Sequence, residues 1–567
     1  MISRLLPWLL YSLIAVFLAL FVIGPLLTTL AAGLQPLYLR EALSHPLHWQ
    51  ALLRSVLIAT VTTTICLAIS LPLAWLGARL RFRGQALLEG LLLAPLILPP
   101  FVGALGVFQL LGQYGVLNSV LAGLGLTTPG QGPDWLGEHR FAVICLVEAL
   151  GLYPILFLSL AASLARLDPA QLDAARSLGA GPLTVWRRVV LPHLRPGAVA
   201  GGIVVWVWSF TELGTPLMLG DERALPVLVY AGLTAVQTNQ LPFALVVLMM
   251  AVAGLAYGLS RFLAGPQAAA LAKGGGAGLA TAALTIRGAR ARLAALAYLL
   301  VILLATGPHL AVMVLAVSND WYGTVLPRGL TLDRFRDALS HPNVVPGILN
   351  SALYSSLATL IAVTAGSVLA WTAVRWRPPG WRVLDAIAML PLAVPGIVIA
   401  FGFLALVGTM QLIPGLKSVA ALLDPRANPT LLLAIAYAVR RLPQVLRAVA
   451  AGLQQAPIAL EEAAAACGAS RAMQVRRITL PLIAGSLAAG ALLTFSFSML
   501  EVSDSLILAQ QRQHWPITTV IWDLVNVLGP GPAIACAFAT WSFLFLACAL
   551  TAAAVFLGKS PLQVFRE

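Results

Sequence analysis

Charge is what this sequence has least of. Only 10% of its 567 residues are Asp, Glu, Lys or Arg, against roughly 25% in ordinary soluble domains. A water-facing globular surface is thereby excluded, and lipid is the expected surrounding. Acidic residues are scarcer still, 21 against 35 Lys and Arg, for a formal net charge of +14. That excess does not point to nucleic acid, because the arginines stand in short segments between apolar runs, as cytoplasmic loops of membrane proteins do. The five cysteines, Cys66, Cys145, Cys467, Cys536 and Cys548, form no CxxC pair and sit mostly in apolar runs. A disulfide framework and a zinc site are therefore not expected, and the cysteines read as small packing residues. His45, His48, His139, His309, His341 and His514 are scattered near loops or span ends. No His-rich constellation and no nucleophile motif appears, so no catalytic residue is assigned and an enzyme is not expected.

What is present is apolar length. Hydrophobic residues make up 60% of the chain, and the mean hydropathy is +0.91. A bilayer-crossing helix needs roughly 20 such residues. Runs of that order recur near 6–32, 52–78, 86–112, 140–165, 197–218 and 241–264, and again near 292–316, 347–374, 383–409, 429–453, 485–508 and 531–557. The expected fold class is an all-α polytopic membrane protein with about 12 transmembrane helices in two six-span sets. Arg4 precedes the first run and no A-x-A-like cleavage site follows, so this run reads as a retained span. Arg79, Arg81 and Arg83 follow the second run, Arg187 and Arg188 the fourth, and Arg375, Arg377 and Arg382 the eighth. The positive-inside rule makes those loops, and both termini, cytoplasmic.

The two sets are copies. Asp173-Ala174-Ala175, Gly179 and Leu191-Pro192 recur as Glu462-Ala463-Ala464, Gly468 and Leu480-Pro481, each 289 positions on. Leu53 and Ser55 recur as Leu349 and Ser351, Ala74-Trp75 as Ala370-Trp371, and Pro95 and Pro99 as Pro391 and Pro395, all at 296. Pro154 matches Pro443 at 289 again, so the second copy has lost seven residues in between, placed in an outer loop. Copies with an even number of spans run parallel, about an axis along the membrane normal. The division is 1–266 for the first repeat, 267–290 for a flexible basic linker around Lys273-Gly274-Gly275-Gly276, and 291–567 for the second repeat.

Each motif reads as a short helix, near 170–181 and 459–470. Asp173 and Glu462 are expected in its first turn, where the helix dipole favours a carboxylate. Pro169 and Pro457 stand where proline is tolerated, and Gly179 and Gly468 end the helix. A lone helix this short is marginal in water, and its small alanine face suits close approach of a partner. The motif resembles the cytoplasmic coupling motif, acid-Ala-Ala…Gly…Leu-Pro, of the membrane subunits of binding-protein-dependent ABC importers. The resemblance implies the type I permease fold, with two copies of an ATP-binding subunit docked on the cytoplasmic face. It also implies a substrate-binding protein on the opposite face, ATP and Mg held by the partner subunits, no cofactor bound by this chain, and a bacterial cytoplasmic membrane. Asp173 and Arg176 depart from the commoner Glu and small residue of that motif. Gly558-Lys559-Ser560 ends like a P-loop, but Ala553 stands where its first glycine is needed.

Charges inside spans are costly and tend to face a cavity or a partner. Glu212 and Glu501 are 289 apart, Asp504 follows one expected helical turn on, and Glu148 lies in the fourth run. Together with Arg440 and Arg441 they are the candidates for the translocation path. Glu212 and Glu501 are the candidate transient metal ligands, since carboxylates suit a hard cation. The plainer reading is structural, with Glu501 paired to Arg440 or Arg441. The segments Thr211-Glu212-Leu213-Gly214-Thr215-Pro216 and Glu501-Val502-Ser503-Asp504-Ser505 in a fused twelve-span layout look like the ferric-iron importer permeases. Thiamine, polyamine, aminophosphonate and sulfate are the alternative cargoes, and an ion-coupled secondary transporter is the alternative class.

Overall fold

In the computed structural model, residues 2–96, 100–236, 238–264, 284–527 and 529–556 are described. Among these, ten helices are long and apolar enough to cross a membrane. The bent pair Trp381–Leu392 and Gly396–Leu412, at 112° to each other, makes an eleventh if counted as one span. The helix Thr430–Gln455 has the length as well. It is set apart by carrying Arg440, Arg441 and Arg447, which also lower its hydropathy. The chain is thus an all-helical polytopic membrane protein.

Several expected runs are interrupted. The run near 86–112 is a helix Gln85–Leu91, a 3-10 turn Ala94–Leu96 and a helix Pro100–Leu111; Pro99 lies outside the described residues. The run near 485–508 ends as a helix at Met499 and resumes as Ser503–Leu508. Of the expected linker, 267–283 lies outside the described residues. Its end is not a free coil: Leu284–Thr285 pairs in parallel with Leu80–Arg81, and the Ile286 amide donates to the Arg81 carbonyl at 2.9 Å. The Gly558-Lys559-Ser560 stretch also lies outside the described residues.

The chain forms two compact units that do not follow the two sequence repeats. Unit one is His45–Leu228 with Met249–Arg334; unit two is Met1–Ser44, Val229–Leu248 and Phe335–Glu567. Each unit therefore takes its leading helix from the other half of the sequence. In unit one, Pro46–Arg79, Arg140–Leu164 and Leu191–Phe210 pack on one another. In unit two the matched helices Val344–Trp371, Thr430–Gln455 and Leu480–Met499 do the same.

The same helix pair is joined differently in the two units. In unit one, polar side chains donate across it: Thr62 to the Cys145 carbonyl (3.4 Å), Cys66 to Ala149 (3.4 Å) and Ser70 to Tyr153 (2.9 Å). Both partners advance by four residues per rung, so the helices run parallel. In unit two the matched positions are Ala358, Ala362 and Gly366, a small-residue stripe that lets helices close without polar bonds. Ala358 and Ala362 are fully buried, and a Cβ on Gly366 would stand 2.9 Å from Val445.

The exchanged helices use one device in both units. Ala289–Ala316 lies on Pro100–Leu111, where a Cβ on Gly106 would stand 1.8 Å from the Pro308 carbonyl oxygen. Gly24–Gly33 lies on Gly396–Leu412, where a Cβ on Gly402, the counterpart of Gly106, would stand 2.8 Å from the Pro25 carbonyl oxygen. His309, expected near a span end, is buried inside the first of these helices, against Gly103. The glycines are there because backbone meets backbone. Gly106→Ala should therefore lower the thermal midpoint of the detergent-purified protein, since overpacking costs about 1–3 kcal/mol. Gly254→Ala, inside a helix where a Cβ meets nothing within 4 Å, should leave the midpoint unchanged or raise it slightly in the same fluorescence melt.

Candidate functional site

The two motif segments fold alike. The first helix is Pro169–Ser177, with the Asp168 carboxylate accepting from the Ala170 amide at 2.9 Å. The second is Ile458–Ala466, entered from Pro457. Asp173 and Glu462 are thus fifth in their helices, not in the first turn as expected. The caps explain the difference, since Asp168 and the two prolines start each helix a turn early. Gly179 and Gly468 have φ of +83° and +84° with open space around them, so backbone conformation alone calls for glycine. The Ala180 amide reaches the Ala175 carbonyl (3.0 Å) and Ala469 reaches Ala464 (2.9 Å), the closing bond of a Schellman turn. A π-helical turn follows each, Trp186–Val190 and Val475–Thr479.

Exposure matches as well. Asp173, Ala174 and Gly179 are exposed, as are Glu462, Ala463 and Gly468, while Ala175 and Ala464 are half-buried. Leu178, at the end of the first helix, is 88% exposed. An apolar side chain so placed on a capped, small-residue helix fits a partner surface rather than water.

The carboxylates sit where helices break. In unit one, Leu191–Phe210 ends and Glu212 accepts from the amides of Gly214 (3.2 Å) and Thr215 (3.4 Å), capping Gly214–Met218. Glu148 is buried, with Ser209 donating to its Oε2. In unit two, Leu480–Met499 ends and Glu501 lies in the gap, held by Arg440 and Arg441. Arg441 also covers the Phe497 ring at 5.1 Å. Asp504 is not a turn further along the same helix; it opens the helix Ser503–Leu508, 3.6 Å from Arg440. Two arginines and two carboxylates cancel formally. Tyr437, bonded to Ser505 at 2.7 Å, stands where the first repeat has Glu148, and Arg440 where it has Gly151. Gly151 faces Pro100, while the matched Gly396 faces Arg440: large and small have changed sides.

Glu212 and Glu501 belong to different units, and Glu501, Asp504, Arg440 and Arg441 are the expected path residues that form one cluster. Among the described residues, no group of three His, Cys, Asp or Glu side chains could hold a metal ion. Sequence reasoning missed further ion pairs, among them Arg54 with the buried Asp221 (2.8 Å) and Arg375 with Glu461 (3.2 Å). It also missed a cavity of about 990 Å³ in unit two, lined among others by Gln35, Gln240, Gln411, Trp515, Trp522 and Asp523. The lining residues come from helix ends remote from the motif. The opposite end of the N-terminal span Pro7–Gly33 carries Trp8, 4.7 Å from Trp376, next to Arg375. At the cavity rim Asp424 pairs with Arg426 at 2.9 Å. Burial alone would raise the Asp424 carboxyl, but the bonds and charge of Arg426 outweigh it and hold the carboxyl below its ordinary range.

Glu501→Gln should leave the Arg441 guanidinium without its carboxylate and Arg440 with Asp504 alone. Breaking a buried pair costs about 3–5 kcal/mol, so the expected outcome is a sharply lowered melting point in detergent. Neutralising Arg441 as well, which leaves Arg440 with Asp504, should recover most of it. Full stability of the single variant would contradict the pairing.

The family of binding-protein-dependent transport system inner membrane components matches residues 67–266 and 362–555. The molybdenum transport system permease protein ModB of Mycobacterium tuberculosis is 34% identical over 211 residues, 36% of this chain and 75% of that protein. The probable ABC transporter permease protein y4fN of Sinorhizobium fredii is 28% identical over 501 residues, 85% of this chain and 83% of that protein. The spermidine/putrescine transport system permease protein PotB of Escherichia coli is 31% identical over 181 residues, 32% of this chain and 64% of that protein. The family model matches once in each half, and each match includes one of the two motif helices; the chain belongs to the family of binding-protein-dependent ABC importer permeases.

Proposed function

We propose that this chain is the whole translocation pore of an ATP-driven importer, docking two ATP-binding subunits through Pro169–Ser177 and Ile458–Ala466. The observation that supports this most is the identical build of the two surface helices: same spacing, same left-handed glycine, same exposure of Asp173/Ala174 and Glu462/Ala463. The partner subunits hold ATP and Mg, and this chain holds no cofactor. The arginines beside the motif helices put them and both termini in the cytoplasm. The binding protein docks on the other face, where the cavity bordered by Trp515 and Trp522 opens.

For the cargo, the resemblance favours ferric iron, with Glu148, Glu212, Glu501 and Asp504 along its path. Glu501 is engaged by two arginines, so in this reading iron passes as a complex, or Glu501 exchanges partners as it passes. Relatives named for molybdenum and for spermidine/putrescine define the competing cargoes. The test is ATP-dependent uptake into proteoliposomes holding the complex and its binding protein, offered radiolabelled ferric citrate, molybdate or spermidine. Ferric uptake that disappears with Gly468→Arg supports both parts. Uptake of molybdate or spermidine instead replaces the cargo, and uptake unaffected by Gly468→Arg overturns the docking.

A further inference from the structure

We propose that Arg375 is a positioning residue for the second coupling helix, which it latches to the transmembrane helices through Glu461. The first helix is seated instead by apolar contact, so the two halves are coupled by different physics. The proposal rests on the docking role given to these helices.

Glu461 is in the first turn of Ile458–Ala466. Its Oε1 accepts from Arg375 Nε at 3.2 Å and from the Thr479 hydroxyl at 3.2 Å. Arg375 Nη2 donates at 2.9 Å to the carbonyl of Ala456, the residue capping Thr430–Gln455. Arg375 itself belongs to the π-helical turn Thr372–Trp376 that ends Val344–Trp371. One guanidinium and one carboxylate thus join two transmembrane helices, the coupling helix and the π-turn leading to Leu480–Met499. Both are shielded, with side chains 9% and 19% exposed. That separates the pair from surface ion pairs of little worth.

In the first repeat every member of this set differs except the arginine. Leu172 stands for Glu461 and Val190 for Thr479, and both are buried. Arg79, the counterpart of Arg375, lies over the Trp75 ring at 4.8 Å, and Trp75 meets Trp186 edge-on at 4.7 Å. Apolar contact is non-directional, whereas charge-assisted hydrogen bonds fix orientation. The second coupling helix is therefore held in register by directed bonds, and the first rests on an apolar seat, with Arg79 feeling Asp173 and Arg176 through space but bonded to neither.

The test uses the complex with its ATP-binding subunits and binding protein in proteoliposomes. The readout is ATP hydrolysis with binding protein divided by hydrolysis without it, which needs no knowledge of the cargo. Arg375→Gln and Glu461→Gln should each reduce that ratio about tenfold, the scale set by losing a hydrogen bond to a charged group. The exchange Arg375→Glu with Glu461→Arg should restore it to within about threefold, and Thr479→Val should give a smaller loss. Arg79→Gln, at the matched place, should change it less than about twofold. Unchanged ratios in the Gln variants, equal damage from Arg79→Gln, or an exchange that assembles but restores nothing would each overturn the latch. If Gly468→Arg leaves subunit association intact, it is the docking role itself that has failed.

Discussion

Backbone polar groups have no water to turn to inside a bilayer, and this constraint shapes the rest of the molecule. A helix may break there only where something else satisfies the freed amides and carbonyls. The breaks after Phe210 and Met499 are such places. At the first, Glu212 takes the amides of Gly214 and Thr215. At the second, the Glu501 carbonyl receives Thr518 and Ser505, and its carboxylate the two arginines. The acids are at the breaks because the breaks need them.

Duplication supplied two copies of every solution, and the copies have since diverged in chemistry while keeping geometry. A ladder of Thr62, Cys66 and Ser70 in one unit is a stripe of Ala358, Ala362 and Gly366 in the other. Gly151 under Pro100 becomes Arg440 over Gly396. Leu172 in an apolar seat becomes Glu461 in an ionic one. In the second case bulk is conserved across the contact rather than at one position.

Much of this was legible from residue spacing. The offset of 289 located both motif helices and matched Glu212 with Glu501, and Arg440 and Arg441 stood out as charges within an apolar run. Spacing says which residues correspond, however, not which helices touch. Nothing in the Met1–Ser44 segment shows that it packs with the second repeat, because an apolar face reads the same whatever covers it. The break at Leu500 is invisible too, since Met499-Leu500-Glu501-Val502 holds neither glycine nor proline. Reading Asp173 and Glu462 as first-turn acids drew attention away from Glu461 and its missing counterpart at Leu172.

One chain with two docking helices should hold two ATP-binding subunits at once. Cys467 is exposed at the end of the second helix, and Leu178 is its counterpart on the first. In a chain with Cys548→Ser and Leu178→Cys, a thiol-to-amine cross-linker tests both sites in the active complex. The account predicts a product of one permease chain with two ATP-binding subunits, reduced to one subunit when either cysteine is replaced by serine. A product that never exceeds one subunit, or cross-linking from a single helix only, would contradict it.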